Sequence, residues 1–171
     1  MVNHLVLALT LGLTLAGQPD HSISLHALYV AAPAEYQVGE FAVNRSQHAE
    51  DALLRAAPSQ YGLWVAAATT VSTATIRLRV EAPEELARFL SGPESETVAA
   101  LADLRAVAGP ALLAWEQANE ANEAAEALLI RVAPDEWEEY DLSKKVLLAA
   151  ATALASAAPD EWAEFLAEVS R

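Results

Sequence analysis

The sequence has no cysteine and few basic residues. The absence of cysteine excludes disulfides, zinc knuckles, iron–sulfur clusters and thiolate nucleophiles. Lys and Arg together number 10 against 24 Asp and Glu, which gives a net charge of −14. Phosphate binding requires clustered cations, so this balance disfavours nucleic acids and anionic membrane surfaces as partners. With 54% hydrophobic residues in 171 positions, the chain is long and apolar enough for one soluble domain with a core, or for two very small ones.

Signatures of the common enzyme classes are also missing. The six glycines form no phosphate-binding loop, no Gly-x-Gly-x-x-Gly motif and no Gly-x-Ser-x-Gly motif. A di-metal carboxylate bundle needs Glu-x-x-His pairs, yet residues 49–171 contain no histidine. We therefore assign no catalytic residue, no metal ligand and no cofactor, and the balance favours a protein that is not an enzyme.

Histidine is confined to the first half of the chain, at His4, His21, His26 and His48. His21, His26 and His48, together with Asp20, provide two or three possible ligands for a metal. None has the i, i+4 spacing of a zinc protease helix, and exposed histidines are far commoner, so we expect no metal site.

The negative charge is unevenly spread. Residues 1–80 carry four basic and five acidic groups, whereas residues 81–171 carry six basic and 19 acidic groups. The chain thus divides near Glu81 into a nearly neutral half and an acidic half. The nearly neutral half is the better candidate for a contact surface.

Leucine occupies every odd position from Leu5 to Leu15. This period of two predicts a strand. A secretory signal peptide is the alternative, but no Lys or Arg precedes the apolar run, and the run is too short to cross a bilayer. We expect a location in the cytoplasm or inside a particle.

Alternating patterns continue through the first 80 residues. Residues 4–31 resemble an antiparallel hairpin, and Val38–Asn44 a third strand. Tyr61–Val80 predicts one long bent strand, or two strands broken near Thr70–Thr73. One helix is expected from Gln47 to Ala56, with Ser46 as its N-cap.

The second half has helical periodicity. Leu86, Phe89 and Leu90, and later Trp162, Phe165 and Leu166, are spaced i, i+3, i+4. Residues 94–107, 110–127 and 143–157 also predict helices. Leu128–Val132 fits either a strand or a helix end. The complete pattern predicts a single α+β domain over residues 1–171, with an N-terminal antiparallel sheet (1–80) packed by C-terminal helices (81–171).

Six prolines recur at intervals of 24 to 27 residues, at positions 33, 58, 83, 110, 134 and 159, and five of them follow alanine. An α-solenoid of about 25-residue repeats is the alternative fold. The favoured interpretation is that Pro83, Pro134 and Pro159 each begin a helix, because proline is tolerated at the first helical position and acids suit the next two.

Three further groups have simple interpretations. Glu116, Glu120, Glu123 and Glu126 form one solvated helix face. The Lys144–Lys145 pair is too small to bind nucleic acid. The four tryptophans at positions 64, 115, 137 and 162 are expected in the core rather than at an interface.

By elimination, the sequence predicts a non-enzymatic structural protein that assembles with itself or with other subunits, as in a virion head or tail. One alternative is a small-molecule-binding module or enzyme with a pocket between sheet and helices, lined by Thr69, Thr70, tryptophans and a histidine. The other is a designed protein without natural function, which the presence of only two lysines disfavours.

Overall fold

A computed structural model describes residues 22–91 and 94–169, and within these ranges the chain is helical with no strand. Seven helices follow one another along the described chain. They are α1 (Ser22–Ala31), α2 (Pro33–Ala56), α3 (Pro58–Glu81), α4 (Pro83–Ser91), α5 (Glu94–Val132), α6 (Pro134–Ala157) and α7 (Pro159–Val169).

The predicted α+β fold is therefore wrong over the described residues. The strands expected at residues 22–30, Val38–Asn44 and Tyr61–Val80 lie in α1, α2 and α3. The β-branched residues of these segments favour strands only weakly, and burial of one helical face outweighs that preference. The arrangement is helical and repeat-like, as in the alternative with repeats of about 25 residues. The remainder of the hairpin, residues 4–21, lies outside the described residues.

The helices predicted for the second half are confirmed but are longer than expected. Leu128–Val132 ends α5 as helix. Pro83, Pro134 and Pro159 begin α4, α6 and α7. In the first half, Gln47–Ala56 is helical, but Ser46 is a buried residue inside α2 and not its N-cap.

Five described residues lie outside the helices, and all five are alanines that precede a proline: Ala32, Ala57, Ala82, Ala133 and Ala158. A proline ring disfavours the helical conformation of the residue before it. Accordingly Ala57 has φ −140° and ψ 61°, and Ala82 has φ −146° and ψ 63°. A sixth alanine, Ala108, has a similar conformation at a kink inside α5, two residues before Pro110. We call these six positions the junctions.

The backbone hydrogen bonding of a helix persists across the junctions. The amide of Ala32 donates to the carbonyl of Leu28 at 2.9 Å, and the carbonyl of Ala32 accepts from the amide of Tyr36 at 2.9 Å. The same pair of bonds surrounds Ala82 and Ala158. Each of these three junctions is thus a bend in a nearly continuous helical ladder, and it leaves few backbone groups without partners.

Every junction alanine is buried, and so is the leucine four residues before it. The leucines stand at positions 28, 53, 78, 104, 129 and 154, which are 25 or 26 residues apart, and none is more than 2% exposed. A small residue, Ala or Ser, stands four positions before each leucine. The repeat is therefore a three-position motif, (Ala/Ser)-x3-Leu-x3-Ala, and proline follows its last alanine directly or after one residue.

The described chain forms two compact units, whose boundaries fall beside Ala57 and Pro134. In the first unit, α1 packs against α2 and α7. Its core contains Leu28 and Leu154 with their junction alanines, packed with residues of α2 and α6. The hydroxyl of Ser24 on α1 donates to Glu168 on α7 at 2.6 Å.

The second unit contains α3, α4 and α5, with α3 and α4 packed against α5. Leu78 and Leu104 meet in its core with their junction alanines, together with Leu86, Ala111 and Leu112.

The single-domain boundary of residues 1–171 stays a prediction. The assignment of residues 1–80 as mainly β is wrong wherever the structure describes them.

Candidate functional site

Helix α3 is covered on one side only. Of its 24 residues, two are buried, Ala74 and Leu78, and Leu78 belongs to the core of the second unit. On the same side, the indole N–H of Trp115 on α5 donates to the hydroxyl of Thr75 at 3.1 Å. The opposite side of α3 is exposed among the described residues.

Apolar side chains stand on this exposed side. Leu63 is 58% exposed, Ile76 is 62% exposed and Val80 is 76% exposed. We define the outer seam of α3 as the six exposed positions that recur at alternate steps of four and three residues: Gly62, Ala66, Thr69, Thr73, Ile76 and Val80. No member of the outer seam carries a charge. Exposed apolar side chains that follow one helix face favour contact with another molecule.

The hydroxyl groups along the exposed side are already hydrogen-bonded. Thr69 and Thr73 donate to the carbonyls of Val65 and Thr69 at 2.8 and 2.9 Å. Thr70 and Ser72 donate to carbonyls four residues earlier in the same way. Because these protons remain within the helix, covering the hydroxyls would not leave donors without acceptors.

The sequence around the first four residues of the outer seam is free of formal charge. Residues 56–76 contain no Asp, Glu, Lys, Arg or His, and this is the longest such stretch in the chain. It is followed by Arg77 and Arg79, which are exposed, and Arg77 pairs with Glu81 at 2.7 Å. In a chain with a net charge of −14, this segment has no acidic residue between Asp51 and Glu81.

The histidines considered as metal ligands are not brought together. His26 is exposed on α1 and His48 is exposed on α2, where its Nδ1 lies 2.7 Å from the carbonyl oxygen of Asn44. His4, Asp20 and His21 lie outside the described residues. Residues 22–91 and 94–169 contain no group of three potential metal-binding side chains.

The pocket considered for a ligand has no sheet to form its wall in the described chain. Thr69 and Thr70 are exposed and bonded to their own helix. The tryptophans separate: Trp162 is buried in the core of the first unit, and Trp115 is half-buried beside Phe89 in the second. Trp64 is half-buried next to Tyr61, with the ring centroids 5.8 Å apart.

A small cavity lies in the core of the first unit. It measures about 10 Å³ and is lined by Leu25, Leu28, Tyr36, Gly39, Leu154, Trp162 and Phe165. That space holds about one water molecule, far less than a substrate needs. Burial raises the pKa of Tyr36 at this wall, and the negative charge of Glu40 raises it further.

The charged groups singled out in the sequence occupy helix surfaces. Glu116 on α5 accepts from Arg105 at 2.9 Å, and Glu120 and Glu123 are exposed. Lys144 lies 3.6 Å from Glu50 and stacks over the ring of Tyr140. Lys145 pairs with Asp141 one turn before it.

One described helical stretch, Val98–Val132, is long and apolar enough to cross a membrane. Core helices of soluble proteins have the same length and composition. Within this stretch Leu104 is fully buried in the protein core, and Asp103 and Arg105 form ion pairs with Arg88 and Glu116. In all, 28% of the apolar window of this stretch is buried within the protein.

Periodicity would have identified the outer seam, had α3 been recognised as a helix. The seam repeats every seven residues, from Gly62 to Thr69 to Ile76 and from Ala66 to Thr73 to Val80. The alternation of Thr and Arg with Ala, Ile, Leu and Val concealed this repeat.

No protein-family model, curated protein or solved structure matches the chain.

Proposed function

We propose that this protein is a non-enzymatic structural protein that associates with itself, either as a homo-oligomer or as a subunit of a larger particle such as a virion head or tail. The exposed, uncharged outer seam of α3 carries the proposal. It is an uncharged surface on a chain whose negative charge lies mainly in residues 81–171.

The energetics support association at this surface. Covering an exposed Ile or Val side chain contributes up to about 1.5–3 kcal/mol when it is fully buried. Ile76 and Val80, the two large apolar residues of the outer seam, are both more than half exposed. The threonine hydroxyls keep their hydrogen bonds when covered, so the gain from apolar burial is not offset by lost hydrogen bonds.

Electrostatics limit where two copies can meet. Residues 81–171 carry a net charge of −13, so contact between these surfaces in two copies brings like charges together. The uncharged stretch at residues 56–76 avoids this repulsion. This agrees with the expectation from the sequence that the nearly neutral half provides the contact surface.

The proposal is tested by light scattering during size-exclusion chromatography over a range of concentrations. We expect the native chain to form oligomers at high micromolar concentration in moderate salt. The Ile76→Glu variant should shift to monomer, because it places a charge within the outer seam. The matched control, Val107→Glu, changes another exposed apolar residue of the same unit and should leave the oligomer intact.

Circular dichroism of both variants checks that the helices are retained. A native chain that stays monomeric throughout contradicts the proposed function. If the two variants lose the oligomer equally, the outer seam is not the contact.

A further inference from the structure

Helix α3 carries two seven-residue repeats of small or apolar residues on opposite sides. The inner seam, which faces α5, consists of Trp64, Ala67, Val71, Ala74 and Leu78. Its residues are buried or half-buried. The outer seam has the same alternation of three and four residues and is exposed throughout. At 100° per residue, the centres of the two seams lie about half a turn apart around the helix.

A seven-residue repeat is the pattern with which one helix packs lengthwise against another. A helix at the edge of an array needs one such seam, and a helix with neighbours on both sides needs two. The inner seam is used by α5. The outer seam therefore fits an additional helix.

We infer that this additional helix is α3 of a second copy, packed antiparallel about a two-fold axis between Thr69 and Thr73. The inference rests on the proposed self-association and specifies its contact. In this arrangement each residue lies level with the residue of the other copy for which the two residue numbers add up to 142. Gly62 thus lies opposite Val80, Ala66 opposite Ile76, and Thr69 opposite Thr73.

Side-chain size favours this pairing. The outer seam has its smallest residues at the N-terminal end and its β-branched aliphatic residues at the C-terminal end. Antiparallel packing places each small residue opposite a large one, which keeps the distance between the helices even. Parallel packing would set Gly62 against Gly62 and Val80 against Val80, leaving a gap at one end and crowding at the other.

Charge favours the same orientation. In a parallel pair, Arg77 and Arg79 of the two copies would lie together and repel. In the antiparallel pair, Arg77 and Arg79 lie level with Val65 and Leu63 of the other copy, far along the axis from its arginines, so this repulsion is absent. The opposed helix dipoles also favour antiparallel packing.

The size of the contact predicts a modest affinity. Eighteen steps from Gly62 to Val80 span about 27 Å of helix. One such helix pair is smaller than a standard interface of about 800 Å² per partner, so we expect dimers that form at micromolar concentrations.

Disulfide trapping tests the arrangement, because the chain has no cysteine of its own. One variant carries Ala66→Cys and the other Ile76→Cys, and both positions are exposed on α3. The two are mixed in equal amounts, oxidised mildly and measured by intact mass. Antiparallel packing predicts the mixed dimer, because the matching positions in two copies of one variant lie ten residues, or about 15 Å, apart along the helix axis, beyond the reach of a disulfide.

The matched control is Val107→Cys, an exposed position on α5, which should give only background cross-linking. We expect the mixed dimer to exceed both homodimers well beyond the 2:1:1 ratio of random collision. Homodimers in excess would overturn the antiparallel arrangement but leave self-association intact. Oligomers detected by light scattering without cross-linking at either position would place the contact elsewhere and overturn only this inference.

Two outcomes would overturn the proposed function as well. One is a monomeric native chain. The other is flotation with phosphatidylcholine vesicles that Ile76→Glu abolishes and Val107→Glu preserves, because the outer seam would then bind lipid in place of a second copy.

Discussion

The amide of Ala82 donates a hydrogen bond of 2.8 Å to the carbonyl of Leu78, although Ala82 itself has left the helical conformation. The chain thus bends without losing the helical bond at the bend. Both residues are essentially inaccessible to solvent, and both belong to the core of the second unit. The repeated motif therefore combines a bend with a core position.

Removing a junction leucine should destabilise the protein strongly. Leu104 is fully buried in the second core, so Leu104→Ala should lower the free energy of unfolding by about 2–5 kcal/mol through lost burial and a cavity. Leu113→Ala is the control, because Leu113 is exposed, and its effect should stay within about 0.5 kcal/mol. Urea denaturation measures both. Equal effects would contradict the assignment of Leu104 to the core.

Enlarging a junction alanine should also be costly. Ala82 is 1% exposed, so Ala82→Leu would force neighbouring side chains apart and lower the free energy of unfolding by about 1–3 kcal/mol. Ala87→Leu on α4 is the control, since Ala87 is exposed and leucine suits a helix. Thermal unfolding followed by circular dichroism compares the two. An Ala82→Leu variant as stable as the native chain would show that the junction has room.

The indole of Trp115 should depend on Thr75. In Thr75→Val, the partly buried indole N–H loses its acceptor, which we expect to lower the free energy of unfolding by about 1–3 kcal/mol. Thr152→Val is the control, because the Thr152 hydroxyl bonds only to its own helix at an exposed position. Denaturant titrations measure the difference. A similar effect for both would mean that the indole contact contributes little.

The stability of the first unit should fall at high pH because of Tyr36. Burial raises its pKa above the ordinary value of 10.0, and Glu40 adds to the shift, so the folded state favours the neutral phenol. This contribution is fully present below the unfolded pKa and is lost as pH rises from there through the folded pKa. Unfolding should be compared in native protein and Tyr36→Phe between pH 9 and about pH 11.5. The native chain should lose more stability than the variant, and parallel losses would contradict the assignment.

Self-association through an uncharged face should strengthen with salt. Two chains of net charge −14 repel at low ionic strength, and raising NaCl from about 0.02 M to about 0.5 M screens that repulsion. We expect light scattering to show a larger fraction of oligomer at the higher salt. Dissociation on adding salt would indicate a contact held by ion pairs, contrary to the proposed outer seam.

The residues of α3 show why the sequence predicted a sheet. Ala74, Ile76, Leu78 and Val80 alternate with polar residues and were expected on one strand face. In the structure, Ala74 and Leu78 face the core, whereas Ile76 and Val80 point to the exposed side. Over such a short segment, apolar residues on two opposite helix faces produce the same alternation as one strand face.

Local chemistry was predicted more successfully than long-range packing. The helix starts at Pro83, Pro134 and Pro159 follow from the missing proline N–H and the nearby acids, and they are confirmed. The proline spacing was also visible. Its meaning depends on burial of the preceding alanines and leucines, which only the packed structure reveals. The outer seam was hidden for the same reason, because its period appears only once α3 is read as a helix.

The spacing between junctions determines the direction in which each buried leucine points from its helix. Between the junctions at Ala32 and Ala57 the chain is the single helix α2, so the number of residues before Leu53 in α2 fixes its position around the helix axis. Inserting one residue between two junctions would rotate the next leucine by about 100° away from its core. The chain therefore tolerates changes of residue type between junctions far more readily than changes of length, and whole turns are the natural unit by which such a sequence can grow or shrink.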